Sequence, residues 1–268
     1  MAIANTLCRL AAAALASLSV ASADMGLAPL RHVLSAEHPT AQFVVSNPSE
    51  RIMDARVSWV DLAATESGYA PADPDLRESL SAAPWLVVSP ANFRLSPGAR
   101  QVVTVRIRDR AKLPKGERRS HLLVETEASR TLIRKASTGL QVDVGLGMSA
   151  PVILRNGGKA EAKIADVKLL RDDDGLLMLE TTIASEGQLS SFGRMLAIFT
   201  HASGERELLG VRENVAGFTD AQTRRVTIPF GFVSLGAGEL TVRYEGAAEF
   251  EGSIFDERKF DITPPENE

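Results

Sequence analysis

The sequence predicts an all-β protein folded as two sandwich domains, and three observations lead there. Short runs rich in Val, Ile, Leu and Thr recur between Pro and Gly punctuation along the whole chain, and no 3.6-residue apolar period is sustained against them. Val103, Val105 and Ile107 alternate with Thr104, Arg106 and Arg108, the period of a strand with one face buried and one wet. The length that remains behind an export signal suits two cores of about 100 to 150 residues each.

That signal is read at residues 1–23: Arg9 in a short polar lead, an apolar stretch from Leu10 to Val20, and Ala21-Ser22-Ala23 as a small-residue cleavage site before Asp24. The stretch is shorter than the roughly 20 residues a bilayer span needs, so cleavage rather than anchorage is expected. The only cysteine, Cys8, lies ahead of the stretch and leaves with the signal. Of 268 residues, 245 then remain, with 29 basic and 34 acidic side chains, a formal charge of −5 and no disulfide to hold the fold in an oxidising compartment. Nothing in that balance asks for nucleic acid or anionic lipid.

In the first half, strands are expected at Ala41 to Ser46, Ala55 to Asp61, Pro84 to Ser89, Asn92 to Leu95, Val102 to Arg108 and His121 to Glu127. Asn47-Pro48-Ser49, Ser96-Pro97-Gly98 and Pro114-Lys115-Gly116 supply the turns. The stretch from Leu140 to Met148 alternates most strictly, with Leu140, Val142, Val144, Leu146 and Met148 on one face. Ser149-Ala150-Pro151 and Asn156-Gly157-Gly158 follow it, which predicts a first domain over 24–148, a linker over 149–157 and a second domain over 158–261. In that domain Ile164 to Leu170, Leu176 to Ile183, Met195 to His201, Arg225 to Pro229 and Glu239 to Glu245 read as strands, with Asp174-Gly175 as a hairpin turn. Residues 262–268, with Pro264-Pro265, read as an unstructured tail.

Catalytic and metal motifs are missing. Asp172, Asp173 and Asp174 resemble the start of a calcium loop, but its twelfth place holds Ile183 instead of a glutamate, so a solvated turn is expected. His32, His38, His121 and His201 stand singly, away from metal-ligand spacings. No nucleophile elbow, phosphate loop or dinucleotide fingerprint occurs, and without a mature cysteine a thiol nucleophile is excluded. A carboxylate pair of glycosidase type stays open, since sequence does not say which acids meet. A non-enzyme without cofactor or metal is expected.

Several landmarks then coincide. Leu27-Ala28-Pro29-Leu30-Arg31-His32-Val33-Leu34 and a strand ending at Asn47-Pro48 open the first domain. Pro84-Trp85-Leu86-Val87-Val88-Ser89-Pro90, Phe93-Arg94-Leu95-Ser96-Pro97-Gly98, the strand Gln101 to Arg108, the turn Leu113-Pro114 and the strand His121 to Glu127 follow in order. From about Ala28 to Pro151 this resembles the periplasmic pilus-assembly chaperones of the chaperone/usher pathway. The resemblance implies two immunoglobulin-like sandwiches in a boomerang, a periplasmic location, and pilus, fimbrial or coat subunits and an outer-membrane usher as partners.

It also implies donor-strand complementation, in which an edge strand of the chaperone fills the gap left by a subunit's missing strand. Leu140, Val142, Val144 and Leu146 would be that strand's apolar row; alternation alone fits a strand facing its own core equally well. Arg31 would anchor the client's terminal carboxylate, a task that suits a guanidinium. The family's second cation is missing, because Gly147 stands in its place; Arg155 or Lys159 would have to replace it, or the client is held by the strand alone. Arg130, Arg134 and Lys135 fit the family's client-responsive loop or an ordinary basic surface loop. Self-association through the apolar edge is expected of the empty protein. A structural subunit or adhesin of a surface assembly is the main alternative, and a sugar-binding or hydrolytic sandwich the third. Against the third, Trp59 and Trp85 sit in expected core strands, unavailable for stacking on sugars.

Overall fold

The computed structural model describes residues 25–126 and 147–263. The first sandwich opens with β1 (Gly26–Ala28), β2 (His32–Leu34), β3 (Thr40–Ser46) and β4 (Met53–Val60). A small hairpin of β5 (Leu62–Ala64) and β6 (Tyr69–Pro71) and a short helix α1 (Pro74–Leu80) interrupt it. It then runs through β7 (Leu86–Ser89), β8 (Asn92–Leu95), β9 (Arg100–Ile107), β10 (Gly116–Thr126) and β11 (Gly147–Asn156). Its two sheets have the orders β1-β3-β9-β7 and β2-β11-β10-β4-β8. The amino-terminal strand is shared between them: β1 pairs antiparallel with β3, whereas β2 crosses over to pair parallel with β11. Two packed sheets joined this way form an immunoglobulin-like sandwich.

The second sandwich comprises β12 (Ala162–Arg171), β13 (Leu177–Ser185), β14 (Ser191–His201), β15 (Arg206–Gly217), β16 (Thr223–Gly231), β17 (Gly238–Gly246) and β18 (Ile254–Ile262). Its sheets are ordered β12-β13-β16 and β15-β14-β17-β18, again immunoglobulin-like. Each half has its own core. Leu34, Phe43, Val103, Leu122, Val124 and Val152 are among the residues that fill the first, and Ile164, Leu179, Met195, Phe199, Val242 and Tyr244 are among those of the second. Trp59, in β4 as expected, and Trp85, in a short 3-10 turn ahead of β7 rather than in the expected strand, pack partly buried against the first core.

The alternation that predicts β9 holds on both faces: Val103, Val105 and Ile107 are buried, and Val102 and Arg106 are exposed. Asp172 accepts backbone N–H bonds from Asp174 and Leu176 at 3.1 and 2.8 Å, and Gly175 takes φ 87°, closing the expected hairpin between β12 and β13.

The expected linker over 149–157 is corrected. Gly147–Asn156 is one strand, antiparallel to β10 along ten residue pairs, with Ala150, Val152 and Leu154 buried in the first core. Pro151 suggests a loop, but it sits where β10 is the strand's one neighbour among the described residues, a position a strand tolerates. The chain passes to the second sandwich at Gly157 and Gly158, whose φ values of 73° and 106° favour glycine. The second sandwich also reaches one residue further than expected, with Ile262 inside β18.

Among the described residues no helix is long and apolar enough to cross a membrane, and no group of three or more His, Cys, Asp or Glu is placed to hold a metal ion.

Candidate functional site

The strand β10 positions the joint between the sandwiches. Its even residues Ser120, Leu122 and Val124 turn inward, and the pleat therefore turns Glu117, Arg119 and His121 outward. All three are nevertheless buried, because the second sandwich and the β5–β6 hairpin cover that face. Two ion clusters result.

In the first cluster Arg155, on the neighbouring strand β11, donates from Nε to Glu117 Oε2 at 2.9 Å, from Nη1 to Glu249 Oε1 at 2.7 Å and from Nη2 to the Ser190 carbonyl at 2.8 Å. Ser190 returns two bonds to Glu117, from its backbone N–H at 3.0 Å and from its hydroxyl. The side chains of Arg155 and Glu117 are only 9% and 2% exposed. Glu249 also receives Arg31 in a bidentate pair, 2.9 Å from Nη1 and 2.5 Å from Nη2. The Arg31 guanidinium lies 4.1 Å from the Phe192 ring centroid, and that of Arg155 lies 5.1 Å from Phe250. Glu249 is presented by a tight turn, Ala248–Phe250, whose Ala248 takes the left-handed φ of 56°. Burial works against ionisation of Glu249, but the hydrogen bonds and charge of Arg31, with the charge of Arg155, outweigh it and hold the carboxyl below its ordinary range.

The second cluster centres on Arg119, 1% exposed, which donates to Asp220 Oδ2 at 2.7 Å and to the Leu62 carbonyl at 3.2 Å. Its guanidinium stacks 4.3 Å from Phe218 and 5.4 Å from Tyr69. Asp220 Oδ2 also accepts from the Ala64 backbone at 2.7 Å, and the Arg225 backbone donates to the Glu66 carbonyl at 2.8 Å. The hairpin thus straps the first sandwich to the second.

Arg31, read from sequence as a carboxylate anchor, lies in the joint with its guanidinium seated on the internal carboxylate of Glu249. Leu140, Val142, Val144 and Leu146 lie outside the described residues, as do Arg130, Arg134 and Lys135. Gly147 is exposed at the start of β11; a Cβ there would meet Leu123 and Glu125 at 3.6 and 3.8 Å, ordinary contact distances, so a side chain fits the position. Of the two replacement cations, Arg155 reaches the joint but is committed to Glu117, Glu249 and Ser190, while Lys159 is exposed. Sequence reasoning missed Glu117, Arg119, Asp220 and Glu249. A faint signal exists in β10, where Glu117, Arg119 and His121 share one parity, but that pattern reads as a wet face.

Part of β11 is also an open edge among the described residues. Among the described residues β11 is paired on one side with β10 throughout, but on the other only Val152–Leu154 are matched, by β2. Gly147 to Pro151 therefore have no strand on that side among the described residues. The inward parity of Met148, Ala150, Val152 and Leu154 is also, in the sequence, that of Leu140, Val142, Val144 and Leu146.

No family model matches the chain, and no curated protein matches it. Solved structures overlap it over nearly their whole length at low identity. The E. coli chaperone DraB is 15% identical over 90% of this chain and 96% of its own, with a TM-score of 0.42. The Pseudomonas aeruginosa CupB2 chaperone is 15% identical over 89% and 99%, with a TM-score of 0.42. A Salmonella enterica complex of the SafA pilin with the SafB chaperone overlaps at 13% identity over 89% and 96%, with a TM-score of 0.43. TM-scores below 0.5 leave the site's own geometry to carry any functional reading.

Proposed function

We propose that this protein is a periplasmic, non-enzymatic chaperone that caps incomplete pilus, fimbrial or coat subunits by donor-strand complementation and passes them to an outer-membrane usher. The observation that carries the reading is the amino-terminal half of β11, which among the described residues has no strand along one side. It is continuous in sequence with an apolar row, Leu140, Val142, Val144 and Leu146, of the same parity as its core-facing residues. A partner that lacks one strand of its own sandwich would gain both a backbone ladder and a filled apolar groove. The sequence resemblance from Ala28 to Pro151 points the same way.

Arg31 is the weaker part of this reading as a carboxylate anchor. A client carboxylate would have to take the place of Glu249, so the strand itself is the main source of affinity.

The test is co-purification from periplasm of wild type and of a Val142→Lys, Val144→Lys double variant, with far-UV circular dichroism on both. A small β-rich partner that comes down with wild type and is lost from the folded variant supports the reading. Unfolding of the variant assigns those valines to the protein's own core. A wild type that captures nothing under pilus-forming conditions moves the structural-subunit alternative ahead.

A further inference from the structure

His121 is the buried titratable group of the joint that neither ion cluster uses. It is 2% exposed, and neither ring nitrogen has a hydrogen-bond partner among the described residues. A buried polar group without a partner is costly, and an unpaired buried charge more so.

Its surroundings offer little to a charged ring. On its own strand the nearest ionised group facing the joint is Arg119, a like charge. From β6, Tyr69 meets the ring edge-on, centroids 4.7 Å apart at 81°. Beyond Tyr69 stand Phe218, 5.3 Å from it, and the further positive charge of Arg224. The neighbouring strands place uncharged Val60 and Pro151 opposite His121. The one carboxylate acting on the ring is Asp220, already bound to Arg119 and to the Ala64 N–H; Asp61, at the end of β4, is taken by Ser120.

We propose that His121 makes one side of the joint acid-labile: on taking up a proton it parts the β5–β6 hairpin from the Phe218–Asp220 loop, while the Arg155 cluster still holds the two sandwiches and both cores stay folded. The direction follows from linkage. Burial, then Arg119, push the ring down to about 4 in the closed joint, with Asp220 only partly opposing, whereas an opened joint returns it to its ordinary 6.5. Well above 6.5 the ring is neutral in both forms and favours neither. Between 6.5 and about 4 the open form binds the proton and gains on the closed one. At pH 5 the ratio of open to closed joint rises about thirty-fold over its value at pH 7.5. The proposal is independent of any client.

Hydrogen exchange, corrected for the intrinsic effect of pH on amide rates, tests it on the full mature chain at pH 7.5 and 5.0. In wild type, protection of residues 62–71 and 216–222 should fall about thirty-fold while that of β9 and β14 holds. In His121→Phe, which keeps a ring but removes the titration, joint protection should persist at pH 5.0; His121→Leu serves if the phenyl ring does not fit. Unchanged joint protection in wild type overturns the proposal. So does a fall of equal size in the variant, or a fall shared by β9 and β14, which would mean general acid unfolding.

Discussion

The two ion clusters of the joint stand on one face of one strand, yet they differ in how completely their polar atoms are matched. Around Arg155, both oxygens of Glu117 are bonded and all three guanidinium nitrogens donate. Around Arg119, the Nε of the arginine, Oδ1 of Asp220 and both nitrogens of His121 have no partner among the described residues. A fully satisfied buried network fixes its geometry, whereas an incompletely satisfied one marks where local opening costs least. One side of the joint is built to hold, and the other to let go.

The largest expected effect tests the holding side. Glu117→Ala leaves the Arg155 guanidinium charged, buried and short of its main partner, which should lower stability by about 3–5 kcal/mol in urea unfolding. The contrasting arm is His121→Phe at pH 7.5, where no hydrogen bond is lost and the midpoint should stay put or rise. If both substitutions cost the same, the two clusters do not differ in the way their bonding suggests.

Glu249 sharpens the comparison through pH. Its pair with Arg31 is partly exposed, 27% and 16%, so Glu249→Gln should cost only about 1 kcal/mol at pH 7 once solvent screening is allowed for. Its carboxyl is held below the ordinary 4.5, so the pair's contribution is complete above 4.5 and fades as pH falls below it. The gap between wild type and variant in urea midpoints should therefore be clear at pH 7 and smaller at pH 3. A gap that does not change with pH would show that the pair acts through packing on Phe192 rather than through charge. Acid thus reaches the two clusters in different windows: His121 between 6.5 and about 4, Glu249 below 4.5.

What the sequence showed of this arrangement follows from period. Strands with one dry face, such as β3, β4, β9, β13 and β17, are legible because burial imposes alternation on them. β15 was missed because two register shifts against β14 break its period and most of its residues face water, and β18 because half-buried Glu257 and exposed Arg258 and Lys259 stand between its apolar residues. The end of β11 was misread as a linker because Pro and Gly mark turns more often than strand edges. Arg31 could be singled out, but Glu249 lies 218 residues away and Asp220 lies 101 from Arg119. No local spacing encodes a contact that two separately folded sandwiches make on meeting.

The smallest expected effect supplies the control for all of this. Arg94 and Asp54 form a bidentate pair on neighbouring strands β8 and β4, at 2.7 and 2.9 Å, a two-bond fork through Nε and Nη2 where Arg31 grips Glu249 through Nη1 and Nη2. Their side chains are 70% and 43% exposed, and they join strands already paired within one sheet. In high dielectric the attraction is screened and is offset by the freedom lost in ordering two long side chains. Arg94→Ala should leave the urea midpoint unchanged within error at low and at physiological salt. A loss comparable to that of Glu249→Gln would mean that fork geometry, and not burial in the joint, sets the strength of such pairs, and the contrast between the clusters would then need another cause.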